Sequence, residues 1–156
     1  MGSIMEIKWS DQLSIDGGLL DEEHKAMIQK TNMFLKMGKT FDSADQARQF
    51  LIGLKEHLAI HTAHEEEYLQ QIDFPDLQQH SKSHEKLNVE MDALLQLLDR
   101  VKFYDLTEIN RRTAHFFSHF LVGHFLNEDM KMKAYSAAHR KAQDAEQDPE
   151  HDITYI

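Results

Sequence analysis

The chain has no cysteine. That excludes a disulfide framework, a thiolate zinc site and an iron–sulfur cluster, and it suits a reducing compartment. Proline (2) and glycine (6) are scarce in 156 residues, so long uninterrupted elements are expected rather than many short strands broken by turns. Cations are outnumbered: 17 lysines and arginines against 27 acids give a formal net charge of -10. A nucleic-acid backbone calls for a basic face, and an anionic membrane surface repels such a chain, so neither partner is expected. No apolar run approaches the ~20 residues of a membrane-spanning helix. No basic segment followed by an apolar run marks a leader peptide, and a cytoplasmic location is the expectation. What remains is an ordinary globular composition, 41% hydrophobic and 28% charged, in a length that fits one domain with one core.

One residue type is in excess. There are eleven histidines, and the stretch from His61 to His84 arranges four chemically apt residues in two pairs. His61 is followed by Glu65 four residues on, then comes a turn marked by Pro75, then His80 with His84 four residues on. Residues four apart share one face of a helix. The stretch therefore presents two pairs of metal-binding side chains on consecutive helices.

The surrounding periodicity predicts the fold. Residues 1–17 read as an extended arm carrying the only tryptophan, Trp9, whose ring is expected to lie on the main body. A first helix is predicted from about Leu19 to Met37, with Leu20, His24, Met27, Thr31 and Phe34 on its stripe and Gly38 as its stop. Ser43 to Gln46 matches a capping box and opens the second helix. Its stripe steps by threes and fours through Leu51, Leu54, Leu58, His61, Glu65, Leu69 and Ile72. After Pro75 the same rhythm runs through Leu77, His80, His84, Leu87, Met91, Leu94, Leu98 and Val101. Asp105 resembles another cap, and Ile109, Thr113, Phe116 or Phe117, Phe120 and His124 make a fourth stripe. These predict an all-α, up-down-up-down antiparallel four-helix bundle over residues 18–137. Residues 138–156 are polar and read as a tail or linker.

Six polar residues stand where such a seam carries leucine: His24, His61, Glu65, His80, His84 and His124. An unpartnered buried polar group costs roughly 2–7 kcal/mol. Six of them at similar depth are satisfied together by a dinuclear metal centre, whereas six separate hydrogen-bond solutions are the bland alternative. His57 and His64 flank the seam rather than lie on it, His119 falls off its stripe, and His115 lies on the opposite face from His124. With His139 and His151, these are read as surface or boundary histidines.

Taken as a set, these residues resemble the hemerythrin-like family, specifically the bacteriohemerythrins. The resemblance runs over roughly residues 7–135. It is carried by Asp21-Glu22-Glu23-His24, His61-x3-Glu65-Glu66, Phe74-Pro75 before His80-x3-His84, His124-x4-Asp129, and Trp9 in the arm. It implies two non-haem iron ions joined by an oxide or hydroxide. One would be held by His80, His84 and His124, the other by His24 and His61, with Glu65 and Asp129 bridging. On spacing alone Glu128, at i+4 from His124, is better placed than Asp129, which lies about 140° around an ideal helix. A π-type widening of that turn would bring Asp129 round.

Two six-coordinate irons offer about twelve positions. The five histidines, the two bridging carboxylates and the bridging oxygen leave one open, on the iron of His24 and His61. The implied activity is reversible binding of O2 there, for storage, delivery or sensing, with other small ligands as competitors and no catalysis. An apolar pocket is then required. Phe116, Phe117, Phe120, Leu121 and Phe125 beside His124, with Met27 and Ile28 beside His24, are candidates for its walls, Leu121 foremost. A di-iron oxidase or peroxidase-like enzyme, and an O2 or redox sensor acting on a partner or output domain, are the competing expectations. The absence of the two Glu-x-x-His motifs of carboxylate-rich bundles weighs against the enzyme.

Overall fold

The computed structural model describes residues 6–36, 41–100 and 106–147. Gly38, Val101, Asp105, Pro149 and His151, and the side chain of Phe120, lie outside the described residues. Three long helices, α1 (Leu19–Lys36), α2 (Ala44–Gln71) and α3 (Leu77–Arg100), pack with a composite fourth rod in an all-α four-helix bundle. That rod joins α4 (Leu106–His115), a π-helical segment (Phe116–Leu121) and α5 (Val122–Asn127). A 3-10 turn (Asp129–Met132) then leads into α6 (Lys133–Gln147).

Local chemistry fixes the helix ends. The Asp16 carboxylate accepts from the backbone N–H groups of Gly18, Leu20 and Asp21 at 2.8, 3.0 and 3.1 Å, capping α1. Asp21 in turn folds the arm back, accepting from Ser14 Oγ, Ile15 N and Gly17 N at 2.5, 2.7 and 3.0 Å. Gly17 takes a φ of +66° there, a conformation glycine adopts without penalty. At the start of α2, Gln46 N donates to Ser43 Oγ at 3.1 Å while the Gln46 side chain accepts from Asp42 N at 2.7 Å. The box therefore closes one residue earlier than the usual reciprocal bond. Asp73 at φ 52° and the Phe74 N–H to Leu69 O bond (3.0 Å) reverse the chain before Pro75.

The seams of α2 and α3 are buried from Leu51 to Ile72 and from His80 to Leu98. They create two apolar cores with a polar layer between them. The larger core holds Leu51, Leu54, Leu58, Leu87, Met91, Leu94, Leu98, Ile109, Phe116 and Phe117. The smaller holds Ile15, Ile28, Leu69, Ile72, Phe74, Phe125 and Met132. Each buried leucine contributes roughly 1.5–3 kcal/mol, so two flanking cores can carry an intervening layer that contributes little apolar burial.

Two expectations need correction. The fourth stripe does not end at His124 but has a second line that reaches Asp129. Thr113, Phe117, Leu121, Phe125 and Asp129 are all buried at four-residue steps. In an α-helix each such step drifts about 40°, and the π turn winds the drift back. Its signature is the Val122 N–H donating to Phe117 O, five residues earlier. Second, the polar stretch from Ala138 continues as helix to Gln147. Ser136 Oγ and Arg140 Nη2 donate to Ile15 O at 2.6 and 3.1 Å, and Tyr68 bonds Ser136. Its polarity is that of a helix bound by hydrogen bonds rather than by an apolar face.

Candidate metal centre

The polar layer gathers all seven residues named above. Glu65, His80, His84, His124 and Asp129 form one group, and His24, His61, Glu65 and Asp129 a second, with the ligand atoms of each within 4.8 Å of one another. The two groups share only the carboxylates. Glu65 Oε2 faces His84 and His80 at 2.9 and 3.1 Å and His124 at 4.0 Å, whereas Oε1 faces His24 at 3.4 Å and His61 at 3.7 Å. Asp129 repeats the division: Oδ1 lies 2.7 Å from His124 Nε2 and Oδ2 lies 3.2 Å from His24 Nε2. Glu65 thus presents one oxygen to three histidines and the other to two, and Asp129 presents one oxygen to His80 and His124 and the other to His24.

The contacts are not those of a self-sufficient hydrogen-bond network. His124 Nε2, Asp129 Oδ1 and Glu65 Oε1 are buried without a hydrogen-bond partner, although the first two are 2.7 Å apart. Close polar atoms that are misaligned for a hydrogen bond point at shared space between them. Paired cations of oxygen and nitrogen preference fit that space.

Neighbouring acids orient the rings from behind. With Nε2 turned inward, His61 Nδ1 donates to Glu23 and His84 Nδ1 to Glu66, both at 2.7 Å. His64, outside the layer, donates to the other Glu23 oxygen at 2.6 Å. Sequence periodicity assigned no role to Glu23 and Glu66; their signal was an acid directly beside a candidate ligand. His24 Nδ1 is buried with no partner.

The electrostatics follow from crowding. Burial opposes protonation of His24, but Asp129 and Glu65 outweigh it and raise its pKa to about 9. The same balance raises His124 to about 10. His61 is pushed down, chiefly by burial. Burial would raise the Glu65 carboxyl, but the surrounding histidines hold it well below the usual carboxylate range.

Asp129 rather than Glu128 joins the layer. Asp129 is 1% exposed, while Glu128 turns outward to Lys131 at 3.0 Å. No π widening lies between His124 and Asp129, contrary to expectation. Glu128 breaks the helix at φ -101°, and the 3-10 turn that begins at Asp129 carries its side chain inward. His57 sits against Lys30 on the exposed side, and the His115 ring packs against that of His119, tilted by 52° with centroids 4.1 Å apart.

A cavity of ≈ 20 Å³, measured as space for the centre of a water-sized sphere, adjoins His24 and His61. Met27, Ile28, Leu58, Leu121 and Phe125 give it apolar walls. One water needs roughly 10–15 Å³ on this measure, so it holds a diatomic molecule and little more. Among the described residues no helix is long and apolar enough to cross a membrane.

A search of curated proteins found no match. The family model described as the hemerythrin HHE cation-binding domain matches residues 18–135, a span holding every member of the polar layer. The buried histidine–carboxylate layer fits a metal-binding site, and the chain belongs to the hemerythrin HHE cation-binding family.

Proposed function

We propose that this protein binds O2 reversibly at a di-iron centre in the cytoplasm, without acting as an enzyme. One observation carries the reading: each oxygen of Glu65 and of Asp129 faces a different histidine group, the disposition of a carboxylate spanning two cations. His80, His84 and His124 would hold one iron, His24 and His61 the other, with Glu65 and Asp129 between them. Bound iron would supply the electrons that reversible O2 binding requires. The chain's own contribution is positioning and exclusion. Glu23 and Glu66 fix ring orientation, and the apolar walls keep out the water and protons that promote irreversible oxidation. Three histidines against two leaves the His24–His61 side less filled, and the apolar cavity adjoins that side.

Anaerobic loading with Fe(II), metal analysis and the visible spectrum in air test the proposal. About two irons per chain and a spectrum that appears with O2 and vanishes on its removal are expected. Prompt, irreversible oxidation with peroxide consumption would replace it with the oxidase reading.

A further inference from the structure

The cavity beside His24 and His61 is walled by the helical rods and the turn after α5 on every side but one. Among the described residues that line it, Ile7 alone comes from the N-terminal arm. Residues 6–10 form no helix or strand, so something else must fix Ile7. Its side chain packs against the smaller core, and one side chain holds its backbone: Asn32 Oδ1 accepts from Ile7 N–H at 3.1 Å, and Asn32 Nδ2 donates to Ile7 O at 2.7 Å. The carboxamide thus treats Ile7 as a neighbouring strand would. Asparagine is a poor helix former, so its place within α1 is accounted for by this clamp. Asn32 follows Thr31 and lies one turn beyond Ile28, both of which line the same cavity. Trp9, beneath the Lys25 ammonium at 5.2 Å, packs on the same smaller core and holds the arm two residues beyond Ile7.

We propose that Ile7 is the movable wall of the ligand cavity and Asn32 its latch, so that the arm sets the rate and size limit of small-molecule access to the His24–His61 side. The inference rests on the metal reading above. Its physical basis is a difference in what must be broken. Displacing any other wall opens a helix and exposes core, whereas lifting Ile7 exposes one half-buried side chain packed on the smaller core and breaks two amide bonds that water replaces at small net loss. The ≈ 20 Å³ cavity admits a diatomic molecule with the wall in place; anything longer enters only when Ile7 moves.

Two variants of the full chain separate wall from latch. Asn32→Ala keeps the Ile7 side chain and frees its backbone; Ile7→Ala keeps the clamp and thins the wall. The metal-free readout is tryptic cleavage after Lys8, which is exposed and becomes a substrate once the arm lifts. Asn32→Ala should accelerate that cleavage about tenfold, and Ile7→Ala should leave it nearly unchanged. The second readout is stopped-flow binding of azide to the diferric protein. Both variants should raise association and dissociation rates together, about tenfold for Asn32→Ala, with little change in Kd. Unchanged cleavage in Asn32→Ala overturns the latch. Labile Lys8 with unchanged azide rates overturns the wall. If the loaded wild-type protein binds no azide, the metal reading fails and takes the gate with it, while the Lys8 result still reports the latch.

Discussion

The metal-free protein should lose stability as the solution becomes alkaline, because two of its buried histidines are held as cations. His24 and His124 have folded pKa values raised from 6.5 to about 9 and about 10 by the carboxylates beside them. A raised folded pKa adds stability that is fully present below the unfolded value and is lost as pH climbs through the folded one. At 1.36 kcal/mol per pH decade, the span from 6.5 is worth about 3 kcal/mol for His24 and about 5 kcal/mol for His124. The window runs from about pH 6.5 to about pH 10. Urea titrations of chelator-treated protein at pH 6.5, 8 and 9.5 should show the midpoint falling by more than about 1 M. Metal loading reverses the trend, since it requires neutral imidazoles. At pH 7 it should release one proton from His24 and one from His124, read by calorimetry in buffers of different ionisation enthalpy. Protons from water bound between the metals add a count that persists at high pH, so the histidine share is the part that falls by about half by pH 9.5. A urea midpoint that is flat or rising over this window would refute the electrostatic account of the layer.

Three further outcomes are expected. Asp129→Ala should reduce iron from about two per chain to about one or fewer, while Glu128→Ala leaves it unchanged; equal losses in metal analysis would reverse the assignment. Leu121→Ala enlarges the cavity, costing about 3 kcal/mol of stability, and should speed irreversible oxidation of the ferrous protein in air, followed spectrophotometrically. Deletion of exposed Ser118 removes one residue from the π turn and should convert it to α-helix with iron content retained, because a single-residue widening leaves the flanking turns in phase. Loss of iron from a soluble, helical deletion variant would count against that reading of the rod.

How much of this was legible in the residues depends on rigidity. His61, Glu65, His80 and His84 lie inside unbroken helices, where a four-residue spacing fixes a shared face, and their burial could be anticipated one residue at a time. Asp129 could not be reached that way, because its position depends on a backbone break at Glu128 that no periodic pattern announces. The line of the fourth stripe that reaches Asp129 was hidden for the same reason: an i−5 hydrogen bond at Val122 shifts the phase silently. α6 was hidden by its polarity, since Ser136 and Arg140 hold it through Ile15 O rather than through an apolar stripe. The Asn32–Ile7 clamp joins residues 25 positions apart through one side chain and leaves no mark on composition or spacing.

The π segment has a consequence for how this rod can change. One end of the rod is pinned by Ile109, Phe116 and Phe117 in the larger core, the other by Phe125 and Met132 in the smaller. The surplus residue between them behaves as slack in a link. Gain or loss of one residue there can be taken up without moving either anchor, whereas a residue gained between His61 and Glu65, or between His80 and His84, turns a ligand about 100° out of the layer. Of the four rods, the fourth is therefore the one in which chain length and ligand position can vary independently.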